Sequence, residues 1–373
     1  MIISAKPYPN ISNLSSQIDQ HNIENISFFL LGRDALISAI LNLGLKKGDK
    51  IIIPAYMCES AIKPLEIYGF KLVYVDVEMD LTFSLDKLKK IIKNNPIKAL
   101  LAVHYFGFTK EFDNVIDLCQ KSGVKVVEDA SHSFMSQLLR NHDDIKCDAE
   151  IFSMRKTLPV FDGGALRMKY NNYEEANKLD NTYSSKMNDI KYLISRLLEK
   201  ILTGMGVNIY SQFLSKIRNQ LPSNNNSNSI VRKPKPIRPS WLLNSYLSND
   251  KYLESIDQII NRNFKQLSQG LLQLGFRLLF DSVKKGIVPQ ACIVKDHYGG
   301  LVEYLRSNGI GSCRWPDKEL PREVINNPDL FSNTILLNNN LVLIPIHQSL
   351  NSKKINNIIQ VLRVWKVKKF KNK

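Results

Sequence analysis

Between residues 31 and 168 short apolar runs alternate with amphipathic stretches of about ten to fifteen residues. The runs at 50–54, 70–77, 98–107 and 123–129 read as buried strands. Ala35, Leu36, Ala39, Ile40 and Leu43 recur at helical spacing, and Gly44 and Gly48 stop that helix before the first of these strands. Further helices are expected over 55–69, 85–93 and 111–122. Strands alternating with helices predict an α/β fold with a mostly parallel sheet and helical crossovers. Beyond Trp241 the pattern changes. A long helical segment at 253–274 leads into strand-like 277–280 and 291–294, a helix at 298–308, an apolar run at 341–350 and a last helix at 352–369. This predicts a second, smaller domain over 241–373, a large domain over 26–240 and a polar N-terminal segment, 1–25, that covers another domain or a partner subunit.

The strand at 123–129 ends in Glu128 and Asp129, which places a carboxylate at the C-terminal edge of a parallel sheet, where open α/β sheets hold their ligands. Lys156 follows, between a short apolar strand and the pair Gly163–Gly164, which permits positive φ or close backbone approach. An acid and a lysine at one site match the needs of pyridoxal phosphate (PLP): a lysine for its Schiff base and an acid facing its ring nitrogen. Both are also ordinary features of structure and surface, so the pair alone leaves both readings open. Gly32 precedes the first helix, and free N–H groups at a helix N-terminus bind anions. Gly32, Arg33 and Asp34 are therefore candidates for a phosphate site, with a plain turn as the alternative. His104 falls at the C-terminal end of its strand, on the same sheet edge as Asp129.

Six segments in order, G-R-D-A-L, G-L-K-K-G-D-K-I-I-I-P-A-Y, G-F-K-L-V-Y-V-D-V, V-H-Y-F-G, V-V-E-D-A-S-H and F-S-M-R-K…D-G-G-A-L, span residues 31 to 168. Together they resemble the DegT/StrS-type sugar aminotransferases, PLP enzymes of the aspartate aminotransferase fold. The resemblance implies a fold-type I architecture: a mostly parallel seven-stranded sheet with helices on both faces and a small α+β domain. It implies that Lys156 forms the internal aldimine, Asp129 pairs with the ring nitrogen, His132 meets the ring hydroxyl, and Arg33 and Asp34 take the phosphate. Lys156 in place of histidine argues against the family's dehydratase branch. The expected reaction moves an amino group from an amino acid, glutamate or similar, to a keto sugar, nucleotide-linked. A related PLP lyase or condensing enzyme, and a non-catalytic scaffold relative, remain the alternatives. Expected partners are small-molecule substrates and a second copy of the chain, in the cytoplasm, with no nucleic acid and at most a weak membrane-surface contact.

Three departures mark this chain. Ser153 and Lys156 are three apart rather than five, which bears on whether Ser153 reaches the phosphate. Cys58 stands where the family stacks an aromatic on the ring, leaving Tyr56 or His132 to cover it. No G-Y-N motif is visible; the stretch 171–240 is atypical instead. Within it, 187–216 is amphipathic and reads as helices packing on the protein, a partner subunit or a membrane surface. Residues 218–239 are rich in Asn, Ser and Pro and read as a linker, whose Arg232, Lys233, Lys235 and Arg238 are candidates to meet a nucleotide diphosphate. In the smaller domain Arg314 and His347 are candidates to face substrate, as are Tyr56 and His104 in the large one.

Composition narrows the class. At 373 residues with 44% hydrophobic and 23% charged residues, the chain is globular and long enough for two domains. The net charge of +16 favours anionic partners. Five scattered cysteines with no C-x-x-C pair argue against a disulfide framework or a zinc site. The N-terminus lacks the pattern of a signal peptide, and no apolar run is long enough to span a membrane.

Overall fold

A computed structural model describes residues 2–10, 12, 14, 26–138, 145–169, 185–205, 233–316 and 320–371. The large domain contains β1 (Ile26–Phe29), α1 (Gly32–Asn42), β2 (Lys50–Pro54), α2 (Glu59–Ile67), β3 (Lys71–Val75), α3 (Leu85–Asn94), β4 (Ile97–Val103), α4 (Asp113–Lys121), β5 (Lys125–Asp129), α5 (Phe134–Leu138), β6 (Ala149–Ser153) and β7 (Gly164–Met168). Then follow α6 (Ser185–Gly204), α7 (Trp241–Leu247), α8 (Asp250–Gln273), β8 (Arg277–Leu278), β9 (Ala291–Lys295), α9 (Leu301–Ser307), α10 (Arg322–Asn326), α11 (Ser332–Asn340), β10 (Leu341–Pro345) and α12 (Ser352–Lys371).

The main sheet has seven strands in the order β1-β7-β6-β5-β4-β2-β3. Strands β2 to β6 run parallel, β7 is antiparallel to both β6 and β1, and the small domain carries the antiparallel sheet β10-β9-β8. The period-two alternation of side chains explains the two-sided burial. Ala99, Leu101, Val103 and Val127 pack on one face with Leu36 and Ile40 of α1. Leu100, Ala102 and Val126 pack on the other with Leu88 of α3 and Ile116 of α4. Helix α1 is buried at every position from Ala35 to Ile40, so it is a core helix and not a surface one.

The apolar stretch at Phe28 finds its partner within the chain, because β1 pairs with β7 and Phe29 is buried. Ser240 and Asn249 cap α7 and α8 through their side chains, accepting from the N–H groups of Leu243 and Tyr252. The N-terminal residues cover the small domain of their own chain: Ile3 bridges to Ile310, and Pro7 accepts a 2.7 Å hydrogen bond from the buried guanidinium of Arg196 on α6. Residues 171–184 and 206–232, with the linker's Arg232, lie outside the described residues. The rest of the linker is extended: Ile237 donates its N–H to the carbonyl of Phe28 on β1, while Lys233, Lys235 and Arg238 are exposed.

Candidate active site

One pocket at the C-terminal edge of the parallel strands is lined by Gly32, Arg33, Cys58, Asp129, Ser131, Ser153, Arg155 and Lys156, among others. The strands explain the convergence. Asp129 ends β5 and Ser153 ends β6, and each shares the α1 face of the sheet with its neighbours Val127 and Ile151. Asp129 is buried, and its Oδ1 accepts the Ser131 N–H at 2.8 Å. Lys156 follows Ser153 in the single 3₁₀ turn Met154–Lys156. Burial pushes its amine below the ordinary lysine value; Asp129 and Cys58 oppose that shift and Arg155 adds to it.

The two glycines close the site. Gly163 takes a φ of 103°. At Gly164 an added Cβ would lie 2.2 Å from the Leu31 carbonyl oxygen, so only glycine lets β7 run under the start of α1. Gly32 is held almost as closely: an added Cβ would be 3.2 Å from Ser153 Cβ and 3.4 Å from Ser131 Oγ. The first turn of α1 thus faces both serines, with helix N–H groups that have no intrahelical acceptor. Asp34 departs from its expected role. Its carboxylate accepts the Leu31 N–H at 3.1 Å, closing a capping arrangement, and burial raises its pKa.

The other predicted residues lie off the pocket wall. His132 is buried directly behind it: its Nδ1 accepts the Phe106 N–H at 3.3 Å, and burial together with Lys156 lowers its pKa far enough to keep the ring neutral. Tyr56 is buried against Trp315 (ring centroids 4.9 Å), and its hydroxyl makes no hydrogen bond among the described residues. His104 requires a correction. Register pairs Val103 with Asp129, so His104, one residue on, turns to the opposite face of the sheet. There its Nδ1 accepts the Lys110 N–H at 3.0 Å and its Nε2 meets Glu128 at 2.7 Å. Glu128 lies beside Glu150 in register, and Glu150 is paired with Arg167. His104 therefore belongs to a buried charge network and does not face a ligand in the pocket. His347 is likewise corrected. It is buried against the N-terminal segment, with Nε2 3.0 Å from the Ser4 carbonyl, and burial lowers its pKa to about 4. Arg314 is half-buried beside Trp315, its Nε buried without a partner among the described residues.

Residues 30–209 match the sequence model of the DegT/DnrJ/EryC1/StrS aminotransferase family. Over those residues the chain is similar in sequence to that family. GDP-perosamine synthase of Escherichia coli O157:H7 is 24% identical over 149 residues, 39% of this chain and 41% of its own length. The dTDP-4-amino-4,6-dideoxy-D-glucose transaminase of Shigella dysenteriae is 32% identical over 149 residues, 39% of each chain. These matches span well under half of either relative. Solved structures extend the likeness of fold. A DegT/DnrJ/EryC1/StrS aminotransferase from Brucella abortus aligns over 92% of this chain and 86% of its own, with a TM-score of 0.65 at 17% identity. A Streptococcus pneumoniae protein solved in its PMP form aligns over 100% of both chains, with a TM-score of 0.70 at 14% identity.

Two features, one in the pocket and one behind it, escaped the sequence reading. Arg155 lines the pocket beside Lys156, and Trp315 of the small domain brings an indole edge against Tyr56, Tyr105, Phe106 and His132. The first was signalled only by its place next to the lysine. The second depends on how the domains meet, which no local pattern reports.

The loop that follows Lys156 is anchored by two buried acids. Asp162 accepts the Ser240 N–H at 2.9 Å and its hydroxyl at 3.0 Å. Asp189 of α6 accepts the Leu242 N–H at 3.1 Å, and its other oxygen is buried without a partner among the described residues. Burial raises Asp162 to about 7 and Asp189 to about 6. Both values exceed the unfolded ones, so the stability they contribute is full below about pH 4 and is lost as pH rises through 6 to 7. We expect the melting temperature to fall by a few degrees between pH 5 and pH 8. Asp189→Asn keeps the acceptor for Leu242 and should flatten that decline; an unchanged pH slope in the variant would show that these acids do not set it.

Proposed function

We propose that the chain is a PLP-dependent aminotransferase that moves an amino group from an amino acid, glutamate by the family expectation, to a nucleotide-linked keto sugar. The observation that carries this reading is the meeting of Lys156 and Asp129 in one pocket with the first turn of α1. The pocket fits PLP on its donors and its shape. At Gly32 the backbone lies close to Ser131 and Ser153, where a Cβ would crowd both, and Arg33 lines the same pocket, so a phosphate there would meet backbone N–H groups, two hydroxyls and a guanidinium. PLP, when bound, supplies a carbonyl for the lysine and a conjugated ring that accepts electrons.

The chain's own residues then have distinct tasks. Asp129, buried and with one oxygen already held by Ser131, keeps a proton on the ring nitrogen. His132 is neutral and its Nδ1 is an acceptor, so Nε2 carries the proton and is the donor available to the ring hydroxyl. Lys156 Nζ, whose pKa is lowered by burial, would in its neutral form take the proton from Cα of the donor amino acid. Trp315, Tyr56 and Tyr105 pack ring against ring in an apolar cluster off the pocket wall. Arg314, next to Trp315, is the cation closest in sequence to that cluster and the candidate for a substrate carboxylate.

The reading is tested by incubating the PLP-loaded protein with glutamate and a panel of nucleotide-linked keto sugars, followed by mass. A gain corresponding to replacement of a carbonyl oxygen by an amine on one sugar supports it; glutamate consumption without any amino sugar would favour a lyase or condensing enzyme.

Among the described residues no helix is long and apolar enough to cross a membrane, and none of the five cysteines is in a disulfide. We place the protein in the cytoplasm, in amino-sugar synthesis for polysaccharides or secondary metabolites, as a homodimer. The interface is assigned to α6, which buries Asp189, Tyr192 and Arg196 and exposes Met187, Ile190, Ile194, Leu197 and Ile201 along one face. Light scattering should give about twice the 42.7 kDa chain mass, and Ile194→Lys with Leu197→Lys should halve it. A wild-type monomer with full activity would overturn the assignment.

A further inference from the structure

We propose that Arg155 is a second guanidinium for the cofactor phosphate, acting together with Arg33, which lines the same pocket. This rests on the PLP reading above and adds a residue that the family pattern does not supply. Ser153, Arg155 and Lys156 come from one strand end and one tight turn, with Ser153 and Lys156 three apart in sequence. The shortened loop leaves no intervening residues to carry an arginine away from the lysine. Both guanidiniums line the same pocket as Gly32, Ser131 and Ser153.

Neither Arg33 nor Arg155 makes an ion pair or side-chain hydrogen bond among the described residues. Asp34, the acid nearest in sequence, has an oxygen turned to the Leu31 N–H. Arg33 and Arg155 repel each other: burial lowers the Arg155 pKa and Arg33 lowers it further, while Tyr192, Asp162 and Asp34 oppose the shift. Two cations held together at the start of an 11-residue helix, with two serine hydroxyls beside them, suit an anion of nearly two charges. A phosphate monoester carries about that charge at neutral pH and accepts bidentate hydrogen bonds from guanidinium groups.

The test compares PLP with pyridoxal, which has the same ring and carbonyl but no phosphate. Dissociation constants are read from the near-visible absorbance of each on wild-type protein, Arg155→Met and Arg155→Lys. We expect Arg155→Met to weaken PLP by about ten- to a hundred-fold, the usual worth of a charge-assisted hydrogen bond, with pyridoxal changed by less than about two-fold. Arg155→Lys, which keeps the charge without the fork, should lie between. Pyridoxal serves as the folding control, since a damaged pocket would lose both ligands together. Equal weakening of both ligands, or of neither, would overturn the proposal. Absorbance by neither ligand on wild-type protein would instead overturn the PLP reading itself.

Discussion

Lys156→Ala should lose the near-visible absorbance of the PLP-loaded protein and slow amino transfer by at least about 10³-fold, because one side chain is both the covalent anchor and the proton carrier. Among the described residues it is the one lysine lining the pocket. Borohydride treatment of the wild type should fix the cofactor on Lys156 and on no other of the chain's lysines. The stability of the variant should not suffer. Burial already disfavours the charged amine, so its removal relieves a desolvated cation, and the melting temperature should hold or rise. That combination, activity lost and stability kept, separates a functional lysine from a structural one. Retention of the absorbance in Lys156→Ala, or mapping of the reduced cofactor to another lysine, would sink the assignment.

How much of this site was legible depended on whether local order or register decided the position. Asp129 and Lys156 could be read because strand ends and the Gly163–Gly164 pair are local features, and the parallel sheet brings such ends to one edge. The mostly parallel sheet followed from the same alternation, while its seven strands were implied by the family resemblance. His104 could not be placed by that logic. It shares the edge with Asp129, but the face it takes depends on Val103 pairing with Asp129, and a shift of one residue reverses every side chain. Asp34 was drawn into the phosphate site by its neighbours, although an acid three residues after a helix start has a local use as a cap. His347 and Trp315 owe their surroundings to residues more than 150 positions away, Ser4 for one and Tyr56 for the other, and no periodicity encodes such meetings. Arg155 was passed over because a lone arginine in a loop reads as a solvated group until the pocket around it is seen.

Asp129→Asn should slow amino transfer by about 10²-fold or more, roughly 3 kcal/mol on the barrier, while leaving the fold intact. The amide has the carboxylate's shape, and its Oδ1 can still accept the Ser131 N–H that now holds Asp129 at 2.8 Å. What changes is charge. A carboxylate holds a proton on the ring nitrogen; a neutral amide does not, and the ring then draws electrons less strongly. A second consequence has a definite sign. Asp129 is the largest influence raising the Lys156 pKa against the lowering by burial. Removing its negative charge leaves the lysine ammonium less favoured, so the Lys156 pKa must fall. The ascending, low-pH limb of the pH dependence of kcat, along which that lysine loses its proton, should therefore shift to lower pH in Asp129→Asn. A structural role for Asp129 would lower stability and leave this limb in place. A slowed variant with an unmoved limb would separate the ring-nitrogen role from the coupling to Lys156, and a near-normal rate would remove Asp129 from the chemistry altogether.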